Sequence, residues 1–226
     1  MIKAVIFDLD DTLTPEFEFV QSGFHAVSKA LATTSKISGN EIYSNLISAF
    51  ENSPKNVFNR VCESLGIDLS KDDINELVEL YRNHTPQISF YEDVIPILVE
   101  LRSKGIKLSI ITDGFKLSQR NKLKALGAEK YADQIIVTDE LGKDYWKPSP
   151  KSFELIKQLL DIEYNEMMYV GDNPKKDFYI QKLHPVHTCR IIRNGVYEKT
   201  DYYMNIQEEF KINNLTELTK LIDMIR

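Results

Sequence analysis

Two short acidic clusters lie far apart in this chain, Asp8 and Asp10 in FDLDDTLT and Asp172 and Asp177 in VGDNPKKD. Each follows an apolar run, so each presents carboxylates at the end of a candidate strand. One such carboxylate can attack phosphorus and form an aspartyl phosphate, while a second protonates the leaving oxygen and later activates water. Asp8 directly follows the run Ala4 to Phe7, and Asp10 lies two residues on, which suits that division of labour. After the run Leu108 to Ile111 come Thr112, Asp113 and Gly114, a hydroxyl and backbone amides suited to a phosphate oxygen. Lys147, in WKPSP, supplies an ammonium on a stretch that prolines stiffen. Four ionised aspartates and a phosphate monoester outweigh one lysine and one Mg2+, so the site needs both the metal and a proton. Asp10, as the acid, is expected to hold that proton, because ligation keeps Asp8 and Asp172 ionised.

The elements that must position these residues are legible as β-rich runs at Ala4 to Phe7, Lys107 to Ile111, Gln134 to Val137, Met167 to Val170, Val186 to Ile192 and Phe210 to Ile212. Helical patterns at Asp93 to Ser103, Lys116 to Leu126, Ser149 to Leu160, Pro174 to Leu183 and Leu215 to Ile225 separate or follow them. Gly105 and Gly127 stand where C-caps belong, and Ser149 with Pro150 suits an N-cap and a first-turn proline. Such alternation predicts an α/β fold with a doubly wound, mostly parallel, Rossmann-like sheet, whose ligands sit beyond the carboxyl ends of its strands.

Residues 16–89 break the alternation with about four helices and no convincing strand. We therefore expect a catalytic core of residues 1–15 and 90–226 carrying an inserted all-helical cap, placed as a lid over the first acidic cluster. In its first helix Phe17, Val20, Phe24, Val27 and Leu31 share a face and should be core, which leaves Phe19 and His25 as candidate substrate contacts.

Composition excludes several other functions. A formal charge of −6 offers no broad footprint for nucleic acid or anionic membrane. The apolar run in MIKAVIFDLD is too short for a signal peptide, and no stretch approaches a membrane span. Cys62 and Cys189 are too few and too far apart for a disulfide framework or a zinc site, so a reducing cytoplasm is expected. His25, His84, His184 and His187 lack metal-ligand spacing, and Lys175 and Lys176 read most simply as a solvated helix start, with a minor role in substrate attraction left open by their closeness to Asp172.

Taken together, the DxDxT of Asp8, Asp10 and Thr12, the strand-end Thr112, the KP of Lys147 and Pro148, and the GDxxxxD ending at Asp177 resemble the haloacid dehalogenase superfamily over essentially the whole chain. The resemblance implies Asp8 as nucleophile and Mg2+ ligand. It implies Asp10 as general acid and base that also offers the metal its backbone carbonyl, Asp172 as a further ligand, and Asp177 in or just outside that shell. Thr112 and Lys147 would hold the phosphoryl group, and the insertion is similar to the superfamily's helical cap of the first type. Dehalogenase members lack an acidic residue at the position of Asp10, so phosphoryl transfer is expected, on a small organic phosphate monoester, by a monomer or small homo-oligomer. A sugar phosphomutase is the enzymatic rival, although that signature commonly has valine where this chain has Thr12. A catalytically silent binding protein of the same fold is the rival from another class.

Overall fold

The computed structural model describes residues 1–193, 197 and 200–225. In chain order it runs β1 (Ala4–Phe7), α1 (Glu16–Thr34), α2 (Gly39–Asn52), α3 (Val57–Ser64), α4 (Lys71–Asn83), α5 (Val94–Ser103), β2 (Lys107–Thr112) and α6 (Lys116–Leu126). It continues with β3 (Gln134–Val137), α7 (Lys151–Leu160), β4 (Met167–Gly171), α8 (Ile180–Leu183), β5 (His187–Ile191), β6 (Phe210–Ile212) and α9 (Leu218–Met224). The chain divides into two compact units, Met1–Glu16 with Ser89–Arg226, and Phe17–Ile88.

In the first unit all strands are parallel, in the order β3-β2-β1-β4-β5-β6. The chain leaves β1 toward one edge and returns on its other side at β4, the switch point at which doubly wound sheets bind ligands. Strict alternation explains why β1 sits centrally. Val5 and Phe7 pack into one core with Leu108, Ile110, Met168 and Val170. Ala4 and Ile6 pack into a second core with Ile111, Met167, Tyr169 and Phe153. Each fully buried Val, Ile or Phe contributes about 1.5–3 kcal/mol, and a strand apolar on both faces is stable only between two covered layers.

The register places the site. Phe7 pairs with Ile110 on one side and Val170 on the other, so the next residue along β1, Asp8, stands level with Ile111 and Gly171. Its amide donates to the Val170 carbonyl at 2.9 Å, and Asp172 and Thr112 follow one residue further along their strands.

The starts of α7 and α8 differ from expectation. α7 begins at Lys151 with Pro150 at the cap position, one residue later than the prolyl first turn predicts. Only Ile180–Leu183 of the expected helix from Pro174 is helical. The Asn173 side chain accepts from the Lys175 amide at 3.0 Å, and Asp177 accepts from the Asn173 amide at 2.9 Å. These local bonds fold the segment into a turn in place of helix.

The second unit, α1 to α4, has its own core around Val20, Phe24, Val27, Leu31, Ile42, Leu46, Phe58 and Leu77. Phe17 is 40% exposed whereas Phe19 is 6% exposed, the reverse of the sequence expectation. Gly23 is the cause: a Cβ there would lie 2.5 Å from the Tyr81 ring. Its absence admits Tyr81 to the flank of α1, where Phe19 meets it edge-on at 5.6 Å. His25 stacks on Tyr43 of the same unit at 3.9 Å. Among the described residues no helix is long and apolar enough to cross a membrane.

Candidate active site

The ends of β1 and β4 bring Asp8, Asp172 and Asp177 together, each buried, with one carboxylate oxygen apiece lying within 4.8 Å of the others. Asp177 reaches back over the strand because residue 171 is glycine; a Cβ there would stand 2.4 Å from Asp177 Oδ2. Into this cluster Lys147 projects from the loop between β3 and α7. Its Nζ donates to Asp8 Oδ1 at 2.8 Å, to Asp177 Oδ1 at 2.9 Å and to the Tyr169 hydroxyl at 2.6 Å. The Tyr169 hydroxyl donates in turn to Asp177 Oδ1 at 3.1 Å.

Electrostatics separate these carboxylates. Burial opposes charge on Asp8, but Lys147 and Lys176 overcome it and hold its carboxyl below the ordinary value. At Asp172 the pull of Lys176 is outweighed. Burial, then the charges of Asp177, Asp8 and Asp11, push its carboxyl up to about 9. Burial also raises Asp177, against the pull of Lys147, while Lys147 itself is raised by Asp177, Asp8 and Asp113 in spite of burial. Three buried oxygen ligands with excess negative charge fit a hard divalent cation, whose charge would relieve the repulsion centred on Asp172.

Asp10 lies outside this carboxylate cluster. Its Oδ1 accepts from Lys122 Nζ at 2.7 Å and its Oδ2 from Gln119 Nε2 at 2.9 Å, both donors from α6. Both oxygens of Asp10 thus have donors, one of them the Lys122 cation, which the sequence-based charge count does not include. Thr112, at the end of β2, donates to Gln119 Oε1 at 3.1 Å. The Asp113 carboxylate is engaged within the protein, by Thr138 Oγ1 at 2.7 Å and the Lys147 amide at 3.1 Å, with Lys176 Nζ at 3.5 Å. Gly114 takes φ 135° beside Gln119. Lys176 is therefore part of the site's charge balance and not a solvated helix start. Thr12 Oγ1 is buried and meets no hydrogen-bond partner among the described residues, so its hydroxyl lends no support to one reaction over another.

Sequence reasoning missed Gln119, Lys122 and Tyr169, and gave Lys176 only a minor place. The available signal was on α6, where Ser118, Gln119 and Lys122 occupy the buried face beside Leu123. Polar side chains on the inward stripe of a helix need partners, and strand-end acids are the partners at hand.

Comparison with known proteins gives a consistent picture. The model of haloacid dehalogenase-like hydrolases matches residues 5–187. The glyceraldehyde 3-phosphate phosphatase of Methanopyrus kandleri is 29% identical, covering 100% of this chain and 98% of its own length. That of Methanocaldococcus jannaschii is 28% identical over 100% of this chain and 99% of its own. The crystal structure of a HAD phosphatase from Thermococcus onnurineus is similar at a TM-score of 0.64 and 30% identity, over 98% of both chains.

Proposed function

The chain belongs to the haloacid dehalogenase-like hydrolases and is a phosphoric monoester hydrolase of that family; on that premise we propose a two-step, Mg2+-dependent reaction carried by Asp8. The observation that supports it best is the Asp8–Lys147 pair at 2.8 Å, beside Asp172 and Asp177 at the switch point of the sheet. Lys147 keeps the Asp8 carboxylate ionised and oriented, which is what a nucleophile at a strand end requires. Asp8 attacks phosphorus in line while Asp10 protonates the departing oxygen. Asp10 then deprotonates the water that hydrolyses the aspartyl phosphate. Lys122 and Gln119 orient the Asp10 side chain for these proton transfers. For the first it must carry the proton that it delivers to the departing oxygen. Asp8, Asp172 and Asp177 would hold Mg2+, with the Asp10 main-chain carbonyl as a further ligand; the ion would neutralise charge on the phosphoryl oxygens. Thr112, the amides at Asp113 and Gly114, and Lys147 would face the transferring group.

The substrate is a small organic phosphate monoester, and the full-length resemblance to glyceraldehyde 3-phosphate phosphatases makes a triose phosphate the first to assay. The helical unit is read as a lid because the chain inserts it directly after the first acidic cluster. Phosphate release from glyceraldehyde 3-phosphate and from an aryl phosphate should require Mg2+ and fall by at least about a thousandfold in Asp8→Asn. Release by Asp8→Asn at the unsubstituted rate would overturn the assignment.

A further inference from the structure

Donor accounting around Gln119 fixes the direction of a short chain of hydrogen bonds. A carboxylate only accepts, so the amide nitrogen of Gln119 is the end that faces Asp10, at 2.9 Å. Its carbonyl Oε1 therefore faces Thr112, and the bond of 3.1 Å between them uses the single hydrogen of the Thr112 hydroxyl. Ionised phosphate oxygens also only accept. A phosphoryl group at Thr112 and the Gln119 carbonyl thus compete for one hydrogen. Gln119 is 4% exposed, so solvent does not readily replace what it loses. Gly114 encloses its other side, where a Cβ would stand 2.6 Å from Nε2.

We propose that Gln119 is a positioning residue that couples occupation of the phosphate site at Thr112 to the orientation of the Asp10 carboxylate. The inference rests on the phosphatase reading above. When the phosphoryl group arrives, Thr112 turns its hydrogen to a phosphate oxygen, and Gln119 Oε1 is left buried without its donor. The cost of that orphaned carbonyl moves the amide. Asp10 Oδ2 then loses its partner and is free to face the leaving oxygen or a water, while Lys122, one turn further along α6, keeps hold of Oδ1 as a pivot at 2.7 Å. Departure of phosphate restores the resting arrangement. Asp10 is thereby released when substrate is present and restrained otherwise.

The test uses the full chain with Mg2+ and compares Gln119→Met, which keeps the shape but removes both bonds, with Gln119→Glu, which can accept from Thr112 but cannot donate to Asp10. Inhibition by inorganic phosphate is measured alongside kcat for an alkyl and an aryl phosphate. In Gln119→Met the Thr112 hydrogen is released, so phosphate should inhibit about 3- to 10-fold more tightly. Its kcat should fall about 10-fold or more with the alkyl ester and distinctly less with the aryl ester, whose leaving group needs less help from Asp10. The tightening should vanish in a Thr112→Val background. Gln119→Glu should show the same alkyl-selective loss without tighter phosphate inhibition, and it carries the test if Gln119→Met does not fold. Unchanged or weaker phosphate inhibition in Gln119→Met, or an equal loss on both esters in either variant, overturns the coupling. If Asp8→Asn is inactive while Gln119→Met behaves as the unsubstituted protein, the coupling alone fails; an active Asp8→Asn removes the phosphatase reading and the coupling with it.

Discussion

Lys147 directs its ammonium at Asp8, Asp177 and Tyr169, and so ties the proposed nucleophile to the second acidic cluster. Its side chain is 1% exposed and those of its two acid partners 2% and 0%. Removing the cation strands two buried carboxylates, so Lys147→Met should lower stability by about 3–5 kcal/mol as well as abolish turnover; urea unfolding checks the first and phosphate release the second. Gly171→Ala tests a different point. The new methyl group competes for space with Asp177 Oδ2, so the variant should still fold but lack the rise in melting temperature expected when Mg2+ is added to the unsubstituted protein. Lys147 was legible in the sequence because prolines set it apart. Tyr169 was not, since an aromatic residue in an apolar strand reads as core, and here it is both core and hydrogen-bond partner.

Among the elements, strands were legible almost to the residue because buried parallel strands are apolar throughout and end abruptly at polar side chains. The segment after Asp172 was not, because side-chain bonds of Asn173 and Asp177 override its helical pattern. Nor was the polar side of α6, since Gln119 and Lys122 look like solvent-facing residues until the acid they serve is located. A second tie joins α5, the end of β5 and the loop after β1. Arg193 donates to Asp93 at 2.9 and 2.8 Å and to the Thr12 carbonyl at 3.1 Å, and the Leu215 amide donates to Asp93 at 2.9 Å. Burial works against the Asp93 charge, but these bonds hold its carboxyl below the ordinary value. A carboxyl lowered in the folded state stabilises it fully above its unfolded value, about pH 4, and that contribution is lost as pH falls through the folded value. Asp93→Asn should therefore be less stable at neutral pH and show a shallower loss on acidification below about pH 4, read from urea midpoints across pH.

At the level of the whole molecule, each unit has a core of its own. Phe24 is 2% exposed and meets Phe50, Phe58 and Tyr81. Phe24→Ala should cost the helical unit about 3–5 kcal/mol. Hydrogen exchange should then quicken in α1 to α4 while amides of β1, β2 and β4 keep their protection. The sheet order has a further consequence during synthesis. β1 is central, yet its neighbours β2 and β4 begin at residues 107 and 167. At roughly 5–20 residues per second, the ribosome delivers β2 some 5–20 s after β1 has emerged. Throughout that interval the apolar stretch AVIF waits unpaired beside Asp8, while the intervening residues 17–88 can already gather around their own core. Of the strands of this sheet, nascent-chain chaperones would meet this fully buried one first.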